Sequence, residues 1–221
     1  MKYRSLIIVV EGQTEEEFVN EVLQPWLNEQ GINDVRAIKI RTSKTGKGGN
    51  TNYAHFKNTT ENLLKQEKDI LVTSLLDFFR LPNEFPGFDA ARRIINVQKR
   101  IEFLEHELSN KIASERFIPY IQLHEFEALL FTKIEGFRVV PFCGKAAIEQ
   151  ISKIIDEYPN PELINDHPNT APSKRIEKII ADYDKVLHGN YIILENGLAA
   201  IFEKCPRFRQ WIERLVEHMR E

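Results

Sequence analysis

Hydrophobic and polar positions in the first half of the chain alternate between two periods. Leu6 to Val10 (LIIVV) is an unbroken apolar run, as a strand buried on both faces requires. In the following EGQTEEEF, Thr14 as N-cap with Glu17 three residues on predicts a capping box. The helix it opens sets Phe18, Val22 and Trp26 on one face, with Val19, Leu23 and Leu27 beside them. Pro25 is expected to kink or divide it, and Gly31 to end it. A second strand is expected at Val35 to Arg41, then a polar, glycine-rich loop from Thr42 to Asn52. A helix from Tyr53 to Gln66 and a strong strand from Asp69 to Asp77 follow. The prolines and Gly87 of FFRLPNEFPGF interrupt both periods, so this stretch reads as loop. Asp89 can cap a helix running to about Leu108, Phe117 to Leu123 reads as a fourth strand, and HEFEALLF turns helical.

This alternation predicts an α/β domain: a mainly parallel sheet of about four strands flanked by helices. Beyond it the pattern is helical, at Lys145 to Asp156, Ser173 to Tyr183, Leu194 to Glu203 and Pro206 to Arg220. The division expected is a core over 1–135 and a helical C-terminal subdomain over 136–221, packed on that core.

Composition narrows the class. The 221 residues are 42% hydrophobic and 29% charged, in the range of ordinary globular domains. Thirty Lys and Arg against 33 Asp and Glu leave a net charge of −3, too little basic excess for non-specific coating of nucleic acid. Cys143 and Cys205 have no metal-ligand spacing and are too few for a disulfide framework, so a reducing cytoplasm is expected. The N-terminal apolar run is only a strand long, too short for a secretion signal or a membrane span. GxSxG, HExxH, GxGxxG and paired CxxC are absent. The SKTGKGGNT loop is not a Walker A loop, because no Ser or Thr follows its Gly-Lys as required.

In an open parallel sheet, ligand sites gather at the carboxyl ends of the strands. Here those ends carry Glu11, Asp77 and the His124-Glu125-Phe126-Glu127 segment. Carboxylates brought together repel, and a shared divalent cation or a shared proton relieves them. All-oxygen donors favour Mg²⁺ or Mn²⁺, and such sites serve phosphoryl transfer. Glu11, Asp77 and one of Glu125 and Glu127 are therefore the candidate metal ligands, and His124 or Glu15 the candidate acid/base. Lys44 and Lys47 of the loop, and Lys174 and Arg175 at a helix start, are candidate contacts for a nucleic-acid backbone. Each has a plainer reading beside it. Glu11 can serve the helix dipole, Glu15 to Glu17 a cap and a solvated face, and His124 a satisfied half-buried position. The loop can be just a loop, and Lys174 and Arg175 a solvated basic face. Cys205, Phe208, Trp211 and Leu215 read as core.

The strings VVEGQTEEEF, LLDFFRLP with FPG, IPYIQLHEFEALLF, APSKRIEKI and CPRFRQWIERL, in this order, resemble a bacterial family known as domain of unknown function 4276. That family is similar to Toprim-type domains of topoisomerases, primases and overcoming-lysogenization-defect nucleases. The resemblance implies a Mg²⁺ site built from a glutamate after the first strand, matched by Glu11, and an Asp-x-Asp after a later strand. Asp77 matches the first aspartate, but Phe79 occupies the second. It also implies an effector nuclease acting on DNA or structured RNA beside an SMC/ABC-like ATPase in defence against phage, with homo-oligomers open. Two rivals stand beside it: a non-catalytic docking or regulatory subunit of such an ATPase, and turnover of a small nucleotide signal at the same site.

Overall fold

The computed structural model describes residues 2–40, 52–79, 81–164, 167 and 169–221. Strand β1 (Ser5–Val10) is buried along its whole length. Helix α1 (Gln13–Phe18) follows directly, and a π-helical turn over Val19–Leu23 leads into α2 (Gln24–Glu29). Pro25, expected as a kink, lies in the first turn of α2. It has no N–H to return to the preceding turn, which the widened turn accommodates. β2 (Val35–Lys39), α3 (Tyr53–Gln66) and β3 (Ile70–Asp77) complete the first three strands.

The long helix expected from Asp89 is instead two. A short α4 (Phe88–Ala91) is separated from α5 (Val97–Ile112), because Asn96 caps the second helix by accepting the Lys99 N–H at 3.0 Å. The fourth strand is also split, into β4 (Phe117–Ile118) and β5 (Ile121–Gln122). Pro119 stands between them and cannot donate to a ladder. Ser74 patches the gap: its Oγ takes the Tyr120 N–H and donates to the Tyr120 carbonyl, both at 3.0 Å.

Strand order is β2-β1-β3-β4, with β5 continuing along β3, and every pairing is parallel. The α/β class with a mainly parallel sheet is thus as the pattern predicted. Alternate residues of each strand feed two cores. Leu6, Ile8, Val10, Leu71 and Leu75 face one, and Ile7, Val9, Val72 and Leu76 face the other, under α3 and α5.

The remaining elements are a 3₁₀ segment over Phe126–Thr132, α6 (Glu135–Arg138), α7 (Lys145–Glu157), a 3₁₀ turn at Pro161–Leu163, α8 (Pro172–Ile179), α9 (Lys185–Lys204) and α10 (Pro206–Arg220). The C-terminal helices enter the same core as β1: Ile192, Ile201, Phe208 and Trp211 belong to one cluster with Leu6 and Ile8. Cys205 and Leu215 join it as expected. Trp211 Nε1 donates to Thr73 Oγ1 of β3 at 2.8 Å, and its ring stacks on Tyr120 at 4.2 Å. α9 begins well before the expected Leu194. A Cβ on Gly136 would stand 2.5 Å from the Ile192 carbonyl, so α6 lies on α9 at a distance only glycine permits. Among the described residues, no helix is long and apolar enough to cross a membrane.

Candidate functional site

The carboxyl ends of β1 and β3 lie side by side, because Val10 pairs with Leu75. One residue past β1, Glu11 Oε1 accepts the Asp77 N–H at 2.9 Å. Asp77 lies on the α1 and α9 side of the sheet, and its Oδ1 accepts the Phe126 N–H at 2.7 Å. The first turn of α1 adds Glu15, whose Oε2 accepts the Gly12 N–H at 3.0 Å. The capping interaction expected at Thr14 and Glu17 therefore runs between Gly12 and Glu15, two residues earlier. Position 12 has the extended backbone of an N-cap, and Thr14 is already inside the helix.

The acidic run divides its labour. Glu16 pairs with Lys39 at 2.7 Å, and Glu17 accepts from Asn190 of α9 at 2.7 Å. Glu15 is buried rather than part of a solvated face.

Glu127 is fully buried at the start of the 3₁₀ segment, and Lys185 Nζ stands 2.6 Å from its Oε1. Its Oε2 has no hydrogen-bond partner among the described residues. Lys185, from the first turn of α9, is the cation of this cluster, and the sequence pattern gave no sign of it. Its stem stays about half in water, with the side chain 47% exposed, while the ammonium ends among the acids.

The electrostatics follow from this crowding. The Asp77 carboxyl is pushed well above the ordinary aspartate range, first by desolvation, then by Glu15, Glu11 and Glu127, against the opposing pull of Lys185. Glu127 is raised by burial, with Lys185 working against the shift. Burial alone would lower Lys185, but Glu127, Asp77 and Glu15 together outweigh it, so the ammonium holds its proton more tightly than usual.

Glu125 goes elsewhere. Its two oxygens take the Ser173 N–H at 2.9 Å and the Ser173 hydroxyl at 3.1 Å, at the first turn of α8. The anion at this helix start is thus Glu125 itself. The cations expected there are engaged locally. Lys174 pairs with Glu177 at 2.5 Å, while Arg175 donates to the Thr170 carbonyl at 2.7 Å and lies over the Tyr158 ring. Lys44 and Lys47 lie outside the described residues. His124 is buried with a left-handed backbone (φ 66°), strained for a residue with a side chain, and the Phe79 N–H donates to its carbonyl at 2.8 Å.

The donor set suits a hard divalent cation: all oxygen, partly buried and mutually repelling. Among the described residues, no three His, Cys, Asp or Glu side chains form a ready cage for one. Mg²⁺ does not need such a cage, since one or two carboxylates with water and substrate phosphate serve it. Glu11 and Asp77 would hold the ion at that minimum.

Fold and cluster together define an α/β protein with a charged site at the carboxyl edge of a parallel sheet. The chain belongs to the family described as domain of unknown function (DUF4276), whose model matches residues 10–216. The solved C-terminal region of the Xanthomonas campestris pv. campestris OLD protein is similar in structure at TM-score 0.46 and 17% identity, covering 99% of this chain and 94% of that one. Among curated proteins, none matches the chain.

Proposed function

We propose that the chain is a Toprim-like, Mg²⁺- or Mn²⁺-dependent nuclease that hydrolyses phosphodiesters, working in the cytoplasm beside an SMC/ABC-like ATPase in defence against phage. One observation carries this reading. Folding brings the half-buried Asp77 carboxyl, at the end of β3, beside Glu11 and within reach of Glu15 and Glu127, whose like charges together with burial hold its pKa up. Glu11 and Asp77 would hold the cation, with water and substrate phosphate completing its shell, while Glu127 holds Lys185 beside it. When bound, the ion polarises the scissile phosphate and offsets the charge gathering on it. Lys185, already held at Glu127, presents a second positive charge to the same oxygens. Proton transfer falls to Glu15, one oxygen of which is committed to Gly12, or to His124. The ATPase partner and the defence role rest on the family resemblance alone.

The docking-subunit reading has its own observation. Glu11, Glu15, Asp77 and Glu127 are each individually engaged, by a backbone amide or by Lys185.

Cleavage of labelled DNA and structured RNA with Mg²⁺ or Mn²⁺ tests the proposal, with and without an SMC/ABC-like ATPase from the same organism. Glu11→Gln and Asp77→Asn are each expected to lower the rate by about a hundredfold or more. Variants that cleave at the wild-type rate overturn it. Turnover of small nucleotides with no polynucleotide cleavage selects the nucleotide-signal reading instead.

A further inference from the structure

The segment from Arg92 to Arg100 carries Arg92, Arg93, Lys99 and Arg100 and no acid, in a chain whose net charge is −3. Among the described residues, the partners of Arg92 and Arg100 are neutral. Arg92 reaches Asn83 and lies over the Phe88 ring, while Arg100 donates twice to the Ile94 carbonyl, at 2.8 and 3.0 Å. Arg100 thereby fixes the bend between α4 and α5. At that bend Ile95 is 95% exposed, and Arg92, Arg93 and Lys99 are exposed around it. The bend lies at the site's end of the sheet: the Arg100 guanidinium is 6.0 Å from the Phe78 ring, next in the chain to Asp77.

We propose that this bend is a duplex-DNA contact, in which Arg92, Arg93 and Lys99 seat phosphates and Ile95 enters a base step from the minor groove. It rests on the nuclease reading for what the acids at the same end of the sheet, on its other face, do to the strand. An apolar side chain held out between cations is the arrangement that wedges a base step. Single-strand binding would call for stacking rings, and residues 92–100 contain none. A membrane surface would call for a broad apolar face, which one isoleucine does not make. Burial against bases would recover the cost of exposing Ile95.

The experiment is equilibrium binding of the full chain to a fluorescein-labelled duplex in EDTA, across a salt series. Each phosphate contact contributes about 0.9 to the slope of log K against log salt. Replacing Arg92, Arg93 and Lys99 together by Gln is expected to flatten the slope by about 2.7 and weaken binding on the order of a hundredfold at low salt. Ile95→Ser is expected to keep the slope, weaken binding about tenfold, and abolish the fluorescence rise of a base analogue that brightens on unstacking. All of these side chains are exposed, so the fold should survive. A triple variant with the wild-type slope, a wild-type chain that does not bind duplex, or binding to phosphatidylserine vesicles in place of duplex each overturns the proposal. Asp77→Asn separates it from the nuclease reading. Duplex binding through the bend without cleavage under any cation sinks the nuclease alone, whereas Asp77-dependent cleavage untouched by the bend variants sinks the bend alone.

Discussion

The carboxylate of Glu125 caps a helix 48 residues further along the chain, taking both the amide and the hydroxyl of Ser173. This ties the end of the sheet to α8 and removes Glu125 from the Asp77 cluster. Charge-assisted hydrogen bonds of this kind contribute more than neutral ones, and leaving Ser173 unpartnered adds a desolvation cost. Glu125→Ala should therefore lower stability by about 2–3 kcal/mol, and Glu125→Gln by less. The urea midpoint should fall with an unchanged m value. Any thermal shift produced by Mg²⁺ should persist in the Gln variant. Its loss there would return Glu125 to the metal site.

Asp77 should make the protein less stable as pH rises. Its folded pKa lies well above the ordinary 3.8, so the folded state holds this proton longer than the unfolded chain does. Stability from this group is complete below 3.8 and declines as pH climbs through the folded value. Asp77→Asn removes that cost and keeps an oxygen for the Phe126 amide. The variant should therefore melt above wild type near neutral pH, with the gap narrowing on acidification. Saturating Mg²⁺ should reverse the order by stabilising wild type alone, by about 2.7 kcal/mol at a hundred times Kd. Equal melting of both proteins across pH would show that Asp77 is not desolvated among like charges.

Much of the scaffold was legible in the sequence, because its signals are local. LIIVV and ILVTSLL are continuous apolar runs, and Tyr53–Gln66 and Pro206–Arg220 form as helices over the expected residues. Glu11 and Asp77 were legible too, since sheet topology alone places both strand ends together. Lys185 was not. It opens a helix whose next residues include Gly189 and Asn190, poor helix formers that hid the true start of α9. The run returns to the non-helical conformation at Gly197 (φ 73°), which further blurs its period. The roles of Glu125 and Glu127 were indistinguishable in HEFE, because which one meets Ser173 and which meets Lys185 depends on contacts about 50 residues away.

Arg207 and Glu105 guard the open edge of the sheet. Arg207 donates to the Ile121 carbonyl at 2.8 Å, and Glu105 takes the Ile121 N–H at 2.8 Å, while the two side chains pair with each other. Together they occupy the edge groups a further strand would use. Arg207→Ala leaves Glu105 desolvated without its cation, so a loss of about 3–5 kcal/mol is expected. Arg207→Lys should recover little of it, since a single ammonium cannot make the forked contact. Chemical denaturation reads the loss, and light scattering should show self-association of Arg207→Ala through the uncovered edge. A variant as stable and as monodisperse as wild type would remove the clamp from this account.

Lys185 is expected to be worth more to the site than to the fold. Removing one partner of a fully buried ion pair costs about 3–5 kcal/mol. Lys185 is half in water, so solvent can reach Glu127 once it is gone, and Lys185→Met should cost only about 1–3 kcal/mol. The loss should shrink as pH falls, because Glu127 already has a raised pKa and can be neutralised by a proton instead. Glu127→Gln in the same chain should restore most of the stability, a coupling that a double-mutant cycle measures directly. Cleavage should respond differently. If Lys185 meets the charge on the phosphate, the double variant regains its fold and remains at least about a hundredfold slow. Recovery of cleavage along with stability would make the lysine a counter-ion for Glu127 and nothing more.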